Sequence, residues 1–222
     1  MFMVVTLHYN NAQMGGAFAG AEGINMRILQ LLEAFSICAV DCFVLISAYF
    51  LSATQKRNIW KPVNLLLMSI GYKLVCYIVT VYLGLEGLTA SGLLVCFLPN
   101  NWFVVLFCVM YMISAYINPL FDHLGKKQLE NLIVISLIMF SVYPTIVEGA
   151  ADYFHLEAIL DGMGTVTKEG SGSGYTIVNF LMLYLIGGYL RKYPPKPGKI
   201  RYLLLFLVLT ACDFVLAWFS GT

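Results

Sequence analysis

Charge is what this sequence has least of. Only 11% of its 222 residues are Asp, Glu, Lys or Arg, against about 25% in a soluble domain. With 60% hydrophobic residues, such a chain cannot cover a water-facing surface and reads as an integral membrane protein. Net charge is +1, which gives no reason to expect a nucleic-acid partner or an acidic substrate. The six cysteines make no disulfide framework, because Cys38, Cys42, Cys76, Cys108 and Cys212 sit in apolar runs and only Cys96 is near a loop. Cys38 and Cys42 share a helix face, yet no His or further Cys accompanies them, so no metal is expected. Walker A, dinucleotide-binding, HExxH and GxSxG motifs are all absent, leaving nucleotide hydrolysis, zinc proteolysis and α/β-hydrolase chemistry unsupported. No internal repeat is visible, so symmetry gives no support to an inverted-repeat transporter.

What is present is apolar length. Runs at about 1–9, 30–52, 62–84, 102–121, 130–147, 175–190 and 202–219 predict an all-α, multipass transmembrane helical bundle of about seven segments. The first is too short to cross and is expected to be the back half of a helix. Asn118 and Pro119 are expected to end the fourth segment. Gly187 and Gly188 are expected to let helices approach closely.

Ten of the thirteen Lys and Arg residues fall in three loops, at 53–61, 122–129 and 191–201, which the positive-inside rule places in the cytoplasm. His8, the region of Asn101 and the loop from Glu148 to Gly174 then face outward. That loop carries Glu148, Asp152, Glu157, Asp161 and Glu169 against Lys168 alone, and its length suits a lid or binding loop, or equally a solvated connector.

Four polar groups lie at unusual depth. Asp41 is central in the second run, where a carboxylate costs about 3 kcal/mol on insertion scales and so tends to face a protein interior or a water-filled cavity. Lys73 is central in the third. Asp41 precedes Ser52 by 11 residues and Lys73 follows Lys61 by 12, so both lie about 17 Å from the shared loop and are expected to form an ion pair or share a polar cavity, as site or as structural glue. Glu33 lies near the outer end of the second run. His8 closes the first, where a single histidine is commonly a polar anchor. Trp102 suits an interfacial belt; Tyr111 and Tyr184 are deeper than a belt requires, and their hydroxyls need partners inside the bundle or line a pocket that stacks on sugar rings.

The strings MVVTLHY, AVDCFVLISAYFL, NWFVVLFCVMYMISAYINPLF and GYTIVNFLMLYLIGGYLRKY resemble, in order and spacing, the membrane-bound acyltransferase-3 family of bacteria. Its pattern is a first helix ending in histidine, then "VDxFFxxSGYxL", "WF…LYxxxPxL" and "YxxGxYxRK". The resemblance implies transfer of an acyl group, usually acetyl from acetyl-CoA, to a hydroxyl of a cell-surface polysaccharide or other extracytoplasmic acceptor, at the cell (cytoplasmic) membrane, with acyl-CoA as a donor substrate and no resident cofactor. It implies that His8 is the general base. Asp41 and Ser47 match the family aspartate and serine, Ala48 stands where the family has glycine, and Arg57, Lys61 and Lys73 stand in place of a basic RxxR pair that would hold the CoA phosphates. Asp41, Lys73, Ser47, Glu33, Asn101, Trp102 and Tyr111 are the supporting candidates. The family's first-helix arginine falls upstream of Met1 and its last helices beyond residue 222, so the chain reads as partial at both ends. Two rival expectations remain: a transporter or flippase whose Asp41 and Lys73 bind substrate or proton, and an inactive remnant. Lipid is an expected partner; acceptor identity and oligomeric state are not legible.

Overall fold

The structure, a computed structural model, describes all residues except 12–13, 55, 99–100, 155–175, 196–197 and 221–222, with the side chains at 148, 149, 152, 153, 199, 216, 219 and 220 also outside the description. Among the described residues the fold is all-α, with no strand. The helices are α1 (Phe2–Asn10), α2 (Gly23–Ser36), α3 (Ala39–Leu51), α4 (Trp60–Tyr82), α5 (Ala90–Phe97), α6 (Trp102–His123), α7 (Lys126–Leu137), α8 (Tyr143–Tyr153), α9 (Ile177–Lys192) and α10 (Lys199–Ser220). Four stretches are long and apolar enough to cross a membrane: Gly23–Leu51, Trp60–Tyr82, Ala90–His123 and Lys126–Val147. Their outward faces carry exposed Leu67, Met68, Val75 and Ile78 on α4 alone, a surface suited to lipid.

All seven expected segments are helical, with four differences. The second begins at Gly23, earlier than its hydrophobic run, and bonding loosens at residues 37–38 between α2 and α3. The short helix α5 went unseen; it is capped by Thr89, whose hydroxyl accepts from the Gly92 amide at 3.1 Å. α6 runs through Pro119 to His123. The proline removes one N–H from the ladder, but the last turn is held from outside, since Lys192 Nζ donates to the carbonyls of Phe121 and Leu124. Finally, α8 reaches Tyr153, so the first residues of the expected acidic loop are helix. The rest of that loop, with Glu157, Asp161, Lys168 and Glu169, lies outside the described residues, as do the side chains of Glu148 and Asp152. Between α7 and α8 the chain widens into a π turn at Ile138–Val142, next to Pro144, which cannot donate to the carbonyl four residues back.

The chain divides into two compact units, Met1–Phe43 with Pro194–Thr222, and Val44–Tyr193. In the first, α2 packs on α1 and α10. Phe35 meets Phe206 edge-on at 5.3 Å, and the Arg27 guanidinium lies 3.7 Å from the Trp218 ring centre. In the second, α6 packs on α4 and α9, α4 on α5, and α7 on α9. Gly187 brings α9 against α3: a Cβ there would lie 2.6 Å from Ala48 Cβ and 2.8 Å from the Leu45 carbonyl oxygen. Gly188 does the same toward α6, where an added Cβ would fall inside the Phe121 ring. The close-packing role expected of this pair is what the structure shows.

Candidate functional site

Within the larger unit the polar residues converge where the loop after α3 meets α6 and α9. Tyr111, Ser114 and Asn118 occur at i, i+3 and i+7 on α6, one face of a helix, and all three are buried, as is Tyr184 on α9. Arg57 reaches into this face from the loop. Its Nε donates to Ser114 Oγ at 2.7 Å and to the Tyr111 carbonyl at 3.3 Å. Nη1 donates to the Thr54 carbonyl and hydroxyl at 2.5 and 3.0 Å, and Nη2 to the Leu51 carbonyl at 3.0 Å and the Tyr184 hydroxyl at 3.3 Å. Tyr184 in turn donates to Asn118 Oδ1 at 2.6 Å, and Asn118 Nδ2 donates to the Leu51 and Thr54 carbonyls at 3.1 and 2.6 Å. The Tyr111 hydroxyl accepts from the Asn58 amide at 3.2 Å. Every guanidinium N–H therefore has a protein acceptor, and what Arg57 can offer a phosphate is charge rather than donors. The partners expected for the Tyr111 and Tyr184 hydroxyls are present.

Beside this knot is a cavity of about 340 Å³ between α3, α4 and α6. Its wall is mostly apolar, with Ile46, Phe50, Leu65 and Phe107. Ser47, Tyr111 and the exposed Lys61 supply its polar groups, and Cys108, whose thiol donates to the Pro62 carbonyl at 3.7 Å, completes one side. Three sequence candidates, Ser47, Lys61 and Tyr111, thus share one space.

A family model described as an acyltransferase domain matches residues 1–221. The chain belongs to the acyltransferase-3 family. In general class it is a membrane acyltransferase. No curated protein and no solved structure matches it.

The remaining site candidates of this acyltransferase-3 chain fall elsewhere. His8 is in the last turn of α1, exposed, with Nδ1 at 2.8 Å from the Val4 carbonyl oxygen. A carbonyl only accepts, so Nδ1 is the donor, and in the neutral ring that leaves Nε2 as the acceptor. In the same unit Asn10, fully buried, donates through Nδ2 to Glu33 Oε2 at 2.7 Å and to the Leu29 carbonyl at 3.2 Å, which pins the end of α1 that carries His8. Asp41 is half-buried in the first turn of α3. Lys73 belongs to the other unit, and its ammonium donates to the Leu98 carbonyl at 2.5 Å, closing the end of α5, so its charge meets a helix C-terminus. Asn101 caps α6, accepting from the Val104 amide at 3.2 Å, and Trp102 stacks edge-on with Phe103 at 5.8 Å. These two precede Tyr111 by ten and nine residues, about 14 Å of helix, and do not line its cavity. Sequence reasoning passed over Ser114, Asn118 and Asn10; the i, i+3, i+7 spacing from Tyr111 was the available signal for the first two.

Proposed function

We propose that this acyltransferase-3 chain moves an acyl group from acyl-CoA, entering from the side of the basic loops, to a hydroxyl of an extracytoplasmic sugar or cell-surface polysaccharide. The observation that supports the reading is His8: its Nδ1 lies 2.8 Å from the Val4 carbonyl oxygen and the residue is exposed, so in the neutral ring Nε2 is the nitrogen left to act as a general base. Nε2 takes the proton of the acceptor hydroxyl as that oxygen attacks the thioester carbonyl. The tetrahedral intermediate collapses, the C–S bond breaks, and the imidazolium returns the proton to the departing CoA thiolate. Asn10 and Glu33 hold the helix end that carries His8, and Asp41 organises the polar centre.

On the donor side, Lys61 supplies positive charge for the CoA phosphates beside the cavity that Ser47 and Tyr111 line, and Arg57 fixes the loop leading to Lys61. Free CoA is measured in membranes supplied with acyl-CoA and a hydroxyl acceptor. His8→Ala is expected to lower turnover by about 10²–10⁴-fold, the usual range for a positioned acid–base group. Turnover left intact by His8→Ala would remove the assignment, and CoA release from no donor at all would favour a transporter.

A further inference from the structure

Helix α1 ends where His8 stands, and a helix end is a poor place to fix a reacting ring. The last four carbonyls of a helix have no partner within it, and its last turn frays. His8 lies in that turn, so its backbone, and with it the aim of its imidazole, depends on what meets those carbonyls from outside. Three of them are met. The chain doubles back over the end of α1, and the amides of Asn11, Gly15 and Ala17 donate to the carbonyls of Leu7, His8 and Tyr9 at 3.1, 2.9 and 3.2 Å. The turn is also tied to itself, since the Met14 and Gly16 amides both donate to the Asn11 carbonyl, at 3.2 and 2.8 Å. Asn10 ties the same helix end to α2 through Glu33 and the Leu29 carbonyl, so the turn is the second of two fastenings.

Two adjacent glycines make the turn possible, each for its own reason. Gly15 lies so close to Tyr9 that an added Cβ would fall among that residue's Cα, carbonyl carbon and carbonyl oxygen, backbone atoms that cannot swing aside. Gly16 has a φ of 73°, in the left-handed region that L side chains rarely adopt. Gly20, in the same connection, meets neither condition: the place of its Cβ is open space and its φ is not positive.

We propose that the Gly15-Gly16 turn positions His8 for proton transfer. The Gly15 amide holds the carbonyl of the residue whose ring takes the proton, and Gly15 and Gly16 are positioning residues that act through that base. The proposal rests on the acyl-transfer reading and deepens it at the same residue.

The test uses the whole chain in membranes, with CoA release measured as above and rates normalised to folded protein. Gly15→Ala should lower kcat about 100-fold, the loss that a displacement of about 1 Å brings, and leave KM for acyl-CoA within about twofold; Gly20→Ala should match wild type. In a His8→Ala background the same Gly15→Ala should cost nothing further, because residues that act through one group are not additive. A turn that only supports the fold would lose rate in both backgrounds, and that result would overturn the proposal, as would an unchanged kcat in Gly15→Ala. Should Gly15→Ala not fold, Gly16 decides: Asn tolerates the left-handed region better than Ala, so Gly16→Asn should keep more activity than Gly16→Ala, and equal rates would refute the role of the turn. Hydrogen exchange at the amides of residues 15 and 17 reads the fastening without activity. Faster exchange there in Gly15→Ala than in Gly20→Ala is expected, and equal exchange would strike the fastening itself. Faster exchange together with intact turnover in His8→Ala would remove the base, and the proposal with it, leaving the turn as a helix fastening alone.

Discussion

Arg57 separates two roles that a basic residue in this loop can play. If it is the latch that its bonds describe, Arg57→Ala removes three contacts to acceptors on α6 and α9: Ser114 Oγ, the Tyr111 carbonyl and the Tyr184 hydroxyl. The Leu51 and Thr54 carbonyls keep Asn118 Nδ2 and add little to the loss. At about 1 kcal/mol net per bond the change costs about 3 kcal/mol. For a domain of this size that corresponds to a fall in Tm of about 6–12 °C. Arg57→Lys retains a charge and a single point donor and should recover about a third of the loss. The assay is thermal unfolding of the detergent-solubilised protein by tryptophan fluorescence, paired with KM for acyl-CoA in membranes. A Tm within 2 °C of wild type, with KM raised tenfold or more, would refute the latch and make Arg57 a phosphate clamp, since 2 °C is under about 1 kcal/mol.

Three further outcomes follow from the packing. Gly187→Ala should destabilise by about 2 kcal/mol or more, because the new methyl meets the Leu45 carbonyl and the Tyr49 amide rather than a movable side-chain tip; the midpoint of urea unfolding reads it, and an unchanged midpoint would mean α3 and α9 are not in contact. Gly92→Ala first meets the end of the Tyr77 side chain, so its effect in the same assay should be the smaller. Lys192→Met frees the Phe121 and Leu124 carbonyls and should cost about 1–2 kcal/mol, seen as faster hydrogen exchange in the last turn of α6; unchanged exchange there would deny the cap.

Helix content and position were legible because lipid demands long apolar runs, and those runs survive in any register. Short features were not. α5 depends on a Thr89 cap and on Lys73 from another helix, neither of which hydropathy detects. Pro119 looked like a stop because its local cost is visible in sequence, whereas the Lys192 contact that sustains the helix comes from 71 positions away in the chain. Depth counting set Asp41 and Lys73 at one level; the bond from Lys73 to the Leu98 carbonyl, within its own unit, is a contact that depth alone does not reveal. Ser47, Lys61 and Tyr111 were chosen for separate reasons, and it took the packing of α3, α4 and α6 to bring them to one cavity.

The cations at the end of α9 tie two properties together that are usually separable. Arg191 donates to the Tyr49 carbonyl at 3.2 Å, and Lys192 holds the last carbonyls of α6. These are also the charges that insertion machinery reads when it chooses an orientation. Moving them to redirect the chain across the bilayer would therefore also unfasten two helix ends, so a topology-inverted variant built by shuffling basic residues should insert and then fail to assemble. Orientation and tertiary structure here share the same few atoms, and selection on either one holds the other in place.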